Sequence, residues 1–243
     1  MTFSSFTRLF AAFGIMLAMA CGASSTTPST PNDAATDADR PQVPDALRSF
    51  ESNAEGCGEA ARAGDWTKAQ GILDQANANW AKVKPDVQAR GASAATVKII
   101  DDALSALATS VPGKLSREAQ TQSNSISETV PDFFDLYTFA VPSDALRLDA
   151  AFRHTQIDGE FSDWPACSTD LANVNTIWKR LKPAVDQKAP TRTDVPGAQT
   201  VAGDIDATFA KAQTAIGAAN SLDTVNASQT GLDLVDVVEQ IFE

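Results

Sequence analysis

The 243 residues carry 19 Lys+Arg against 31 Asp+Glu, a net charge of −12, with one His, three Cys and three Met. Haem held by a Met/His pair or by two His is excluded, because Met1, Met16 and Met19 all fall in the first twenty residues and His154 is the sole histidine. A His-based triad or a multi-His metal site would have to be built on that one residue. An acidic body without a basic stripe cannot neutralise phosphates, so no nucleic-acid partner is expected.

Residues 1–20 read as a signal peptide. Arg8 supplies the positive start, and Leu9 to Ala20 form an apolar run too short to span a bilayer as a helix. Two cleavages fit the end of this run. Ala18-Met19-Ala20 is a small-x-small site that would release a secreted or periplasmic soluble protein. Ala20-Cys21-Gly22 resembles the lipobox of bacterial lipoproteins, with Leu17 one place further upstream than is usual and Ala18 in its stead. The resemblance implies that Cys21 becomes the first residue of the mature chain and carries lipid on its sulfur. It further implies a bacterial cell-envelope protein, and Gly22 is the pattern associated with the outer membrane.

Residues 21–44 then read as the lipidated Cys and a disordered tether. Gly22 to Pro44 has no aromatic residue and one aliphatic larger than Ala (Val43), too little apolar surface to fold. Such a leash holds a domain roughly 25–30 Å from its anchor.

The body reads as one block written twice, residues 45–140 and 141–243. Asp65-Trp66 matches Asp163-Trp164, and at the same offset Leu73 meets Leu171, Asn77 meets Asn175, Trp80 meets Trp178 and Lys84-Pro85 meets Lys182-Pro183. In chain order, Leu47, Phe50, Ala54, Cys57 and Ala61 form the first helical stripe. Trp66, Ala69, Leu73, Ala76, Trp80 and Val83 form the second, opened by Asp65 as N-cap and closed by Lys84-Pro85. Val97, Ile100, Leu104, Leu107 and Val111 form the third. A fourth helix is expected from Leu115 to about Tyr137, with Pro131 kinking it or splitting off Phe133-Phe134.

The second block repeats the order. Leu148, Phe152, Thr155 and Gly159 are followed by Trp164, Cys167, Leu171, Val174, Trp178 and Leu181. Val201, Ile205, Phe209, Ala212 and Ile216 match the third stripe once seven extra loop residues are allowed, and a last helix runs from about Thr224 to Phe242. The expected fold is all-α: tandem duplicated four-helix antiparallel bundles, about eight helices, packed against each other.

Few residues invite chemistry. Cys57 and Cys167 suit a disulfide in an oxidising compartment, or two buried, inert thiols; both readings stand. Trp66, Trp80, Trp164 and Trp178 read as structural anchors of the repeat rather than a ligand cage. Glu51, Glu55 and Glu59, four residues apart, read as a solvated acidic face, Asp149 and Arg153 as an i,i+4 ion pair, and His154 and Asp158 as a surface pair. Position 151 is Ala, so the Glu-x-x-His of di-iron bundles is missing. No catalytic residue, metal ligand or cofactor is expected. The expected function is a non-enzymatic binding or scaffolding module, tied to the membrane by its lipid, with an unknown protein or small-ligand partner. The alternative is a small-ligand or metal-ion carrier using acidic residues or the crevice between the repeats.

Overall fold

The computed structural model describes residues 40–243; the expected signal peptide, the expected lipid site Cys21 and the expected tether up to residue 39 lie outside the described residues. Among the described residues the protein is all-α. The helices are α1 (Asp45–Arg62), α2 (Trp66–Ala89), α3 (Ala94–Gly113), α4 (Ser116–Phe134), α5 (Ser143–Glu160), α6 (Trp164–Lys188), α7 (Val201–Gly217) and α8 (Ser221–Phe242). Helices α1 to α4 pack in a ring, each on the next and α4 back on α1, and α5 to α8 do the same. Each ring encloses a core, one centred on Leu47, Phe50, Leu73, Trp80, Ile100 and Phe133, the other on Phe152, Leu171, Trp178, Ile205 and Val235. The rings meet mainly where α4 lies on α5.

Local chemistry sets the helix ends. The Asp65 and Asp163 carboxylates accept the Lys68 and Ala166 amides and open α2 and α6. Five helices, α1, α2, α3, α5 and α7, end in the same turn. A residue with left-handed backbone (Gly64 at φ 72°, Gly91 at 98°, Lys114 at 55°, Ser162 at 60°, Ala219 at 51°) is followed by an amide that bonds back into the last turn: Asp65 to Ala60, Ala92 to Val87, Leu115 to Ser110, Asp163 to Asp158 and Asn220 to Ala215. Only the first two use glycine. Ser162 therefore holds a conformation that costs a side-chain-bearing residue about 1 kcal/mol. Ser162→Gly is expected to stabilise the protein by roughly 0.5–1 kcal/mol in urea unfolding, and a loss of stability would show that the serine side chain outweighs the strain.

Correspondence between the rings extends to single bonds. The Ser116 hydroxyl donates to the Ala61 carbonyl (3.3 Å), and the Ser221 hydroxyl donates to the Gly159 carbonyl (2.6 Å). Trp80 Nε1 and Lys84 Nζ hold the two oxygens of Asp101 at 2.8 and 2.7 Å, as Trp178 and Lys182 hold Asp206 at 2.7 and 3.0 Å. The second pairing spans seven more residues, the length of the extra loop between α6 and α7.

Three expectations are corrected. Lys84-Pro85 and Lys182-Pro183 do not end their helices, which run on to Ala89 and Lys188. Val87 and Val185, fully buried one half-turn later, extend each stripe, and their burial outweighs the single amide bond that proline lacks. Pro131 neither splits α4 nor frees its end. Phe133 and Phe134 stay helical and buried, and the helix stops at Phe134 instead of Tyr137, whose hydroxyl donates to Asp86 at 2.6 Å. Finally, the last residues assigned to the tether belong to the body: Val43 is buried, the Thr138 amide donates to the Pro41 carbonyl (2.8 Å), and the Val43 amide donates to the Thr138 carbonyl (3.4 Å).

Candidate ligand-binding crevice between the two helical rings

The seam between the rings is polar, unlike either core. Buried polar side chains gather on the helices around it: Gln120, Ser123, Asn124 and Ser127 on α4, Asp149, Thr155, Gln156 and Asp158 on α5, and Thr224 and Ser228 on α8. Ser123, Ser127 and Ser228 hydroxyls and the Asn124 side-chain oxygen find no partner there, so the seam is less completely satisfied than the cores.

Arg153 on α5 organises the centre of this seam. It bonds Asp149 on its own helix at 3.0 Å, and Glu55 and Glu59 on α1 at 3.3 Å each. The expected Asp149–Arg153 pair thus exists, but as part of a largely buried hub and not on the surface. The expected solvated face is also corrected: only Glu59 is exposed, while Glu51 and Glu55 are half-buried beneath α5 and α8. Loss of water and the nearby Asp149 raise Glu51 to about 7 and push Glu55 well above the carboxylate range. Glu239 on α8 is raised to about 8 by burial and by Asp149 and Glu51. Burial alone would lower Arg153, yet Asp149 and Glu55 hold it above its ordinary value.

Beside the hub lies a cavity of about 490 Å³ between α1, α4, α5 and α8. Arg62 and Glu59 of α1, Glu160 and Gln156 of α5, Gln120 of α4 and Gln229 of α8 supply its polar groups, and Ala63 and Ile157 its apolar surface. Arg62 Nε meets Glu160 Oε2 at 3.0 Å across it. The volume is that of small-molecule sites in general. Its position follows from an asymmetry of packing. α4 lies closely on α5, whereas α8 and α1, which hold the corresponding places, do not.

A second charged cluster sits between α4, α5 and α6. His154 Nδ1 meets Glu128 at 2.8 Å, not Asp158 as the sequence spacing suggested, and that bond raises the imidazole to about 9. Asp158 is buried and meets Arg117 at 3.4 Å, while Arg117 bonds Asp163 at 2.8 Å. Asp170 is raised to about 7 by burial and by Asp158. The histidine is therefore cationic at neutral pH and committed to one carboxylate, a poor general base.

No known family model, curated protein or solved structure matches this chain.

The other singled-out residues lie away from the crevice. Cys57 and Cys167, read as a disulfide or as two buried thiols, are both free and buried in this structure, one in each core. The Cys57 thiol donates to the Ala69 carbonyl (3.7 Å) and the Cys167 thiol to the Thr155 carbonyl (3.9 Å), the same two places in each ring with donor and acceptor exchanged. Burial raises both thiols, Cys167 to about 12 with Asp158 and Asp170 adding to it, so neither supplies a thiolate. Trp80 packs between Phe50 and Phe133 at 5.2 and 5.4 Å, and Trp178 is buried in the second core. Trp66 and Trp164 are half-buried at the starts of α2 and α6. Among the described residues no group of three or more His, Cys, Asp and Glu is placed to hold a metal ion. None of the described helices is long and apolar enough to cross a membrane.

Sequence reasoning missed Arg62, Glu160, Gln120, Gln156 and Gln229. One signal was available: Glu55 and Arg62 on α1 stand at the repeat offset of 98 from Arg153 and Glu160 on α5, and each of the two pairs has opposite charge.

Proposed function

We propose that this protein is a non-enzymatic, small-molecule-binding component of a bacterial cell envelope, anchored by lipid on Cys21 and taking its ligand in the crevice between two duplicated helical units. The crevice carries this reading: about 490 Å³ with two arginines, two glutamates and three glutamines beside the apolar Ala63 and Ile157, at the junction of the two helical rings. It favours ligand binding over pure scaffolding, for which tight cores and a closed seam would suffice. Sealed thiols and a committed histidine support a binding protein over a catalyst.

The site is tested by thermal shift across a library of small polar compounds. Compounds that raise the melting temperature of the natural protein should lose that effect in Ala63→Trp, which lays an indole across the mouth from an exposed position. Shifts that survive in this variant, or no shift with any compound, would remove the crevice as the site. Mass spectrometry of the membrane-bound protein tests the anchor: acyl chains on Cys21 are expected, and an unlipidated chain starting elsewhere would refute it.

A further inference from the structure

We infer that the ligand of this crevice is a small zwitterion, a free amino acid or a short peptide with unblocked ends, its carboxylate on Arg62 and its ammonium on Glu160. The inference rests on the crevice being the binding site and adds the chemistry of what enters it.

The first argument is one of unused bonding capacity. Arg153 spends its terminal nitrogens on three carboxylates, and among the described residues only its buried Nε lacks a partner. Arg62 makes one bond, from Nε to a single oxygen of Glu160, and among the described residues its two terminal nitrogens and the second Glu160 oxygen bond nothing. Both side chains of this pair are about one-third exposed, at 34% and 32%. An ion pair so hydrated is held weakly and opens at little cost. A molecule bearing both charges would exchange that one bond for a forked guanidinium–carboxylate pair at one end and an ammonium–carboxylate pair at the other. A singly charged ligand would satisfy one partner and strand the other.

The second argument comes from the floor. Gln120 and Gln156 are each 3% exposed, and both line the crevice. Their amide nitrogens are engaged, donating to Ser116 Oγ (3.1 Å) and Gln229 Oε1 (3.0 Å). Their amide oxygens have no donor among the described residues, so the floor offers acceptors, which suit a peptide N–H or an ammonium. Ile157 and Ala63 leave room for an aliphatic side chain.

The third argument is the origin of the opposed charges. Arg62 and Glu160 stand 98 residues apart, as do Glu55 and Arg153, so each pair joins corresponding positions of the two units. Both pairs are in contact across the seam, so identical residues at these positions would set like charge against like. The inversion gives the crevice two electrically different walls, a polarity that a head-to-tail ligand matches.

Isothermal titration with four probes on one dipeptide decides the matter: Ala-Leu, N-acetyl-Ala-Leu, Ala-Leu-amide and the doubly blocked form. Ala-Leu is expected to bind at least tenfold more tightly than either singly blocked probe. Arg62→Gln should abolish the preference for a free carboxylate, and Glu160→Gln the preference for a free ammonium, with circular dichroism confirming that both variants are folded. The exchange R62E/E160R should restore binding of the zwitterion. Equal binding of all four probes, with changes at the Gly58 and Gln156 amide resonances, would overturn the zwitterion and leave the crevice as the site. So would other polar compounds shifting those resonances when no dipeptide does. Absence of any perturbation there, by any compound, would remove the crevice itself.

Discussion

Arg153→Met is expected to destabilise the protein by about 3–5 kcal/mol at pH 8, because it removes the guanidinium that Asp149, Glu55 and Glu59 share. Methionine preserves most of the length and apolar stem, so the loss is chiefly electrostatic. The same substitution should cost much less at pH 5, because acid relieves a buried negative charge stripped of its counter-ion. Urea unfolding at the two pH values separates these outcomes. An equal loss at both would mean that the arginine acts through packing alone. Arg153→Lys should fall between, since an ammonium cannot reach three carboxylates in the geometry that the planar guanidinium does.

The second large effect is a pH slope of the unaltered protein. A carboxyl group whose folded pKa stands above its unfolded value holds more protons when folded across the interval between the two, so the folded state loses ground as pH rises through it. Glu51 (4.5 to about 7), Glu239 (4.5 to about 8) and Asp170 (3.8 to about 7) all slope this way between about pH 4 and 8. His154, raised from 6.5 to about 9 by Glu128, extends the slope: its stabilisation is complete below 6.5 and gone as pH passes 9. Asp144, Asp163 and Asp206 act in the opposite sense, held low by Arg180, Arg117 and the Trp178–Lys182 pair, and they withdraw stability only below about pH 4. Stability should therefore peak near pH 5 and fall by on the order of 3 kcal/mol by pH 9, a drop of roughly 6–12 °C in Tm. Glu239→Gln should raise Tm at pH 8 and leave it nearly unchanged at pH 5. A flat profile, or one rising from pH 5 to 9, would mean that the seam is better hydrated than its packing indicates.

Much of the scaffold was legible because it is local. Three-and-four spacing located the stripes of α1, α2 and α3 and their counterparts, and Asp65 and Asp163 marked two helix starts through a bond three residues long. The prolines misled for the opposite reason. Whether a helix survives Pro85 depends on what Val87 finds in the core, and that is decided by helices elsewhere in the chain. The crevice was hidden still more deeply. Glu51, Glu55 and Glu59 have the spacing of a wet helix face, and nothing within a turn of them announces Arg153, a residue 98 positions from Glu55. His154 misled similarly, since Asp158 lies one turn away while its partner Glu128 comes from the preceding helix.

The docking of Pro41 and Val43 on Thr138 fixes where tension would enter the molecule. A pull on the chain ahead of Arg40 would arrive first at a clasp of four hydrogen bonds, from residues 40–43 to the end of α4 and the crossover between the helical units, with Val43 of the first core behind it. That clasp would peel as a mechanical fuse before the helices themselves are strained.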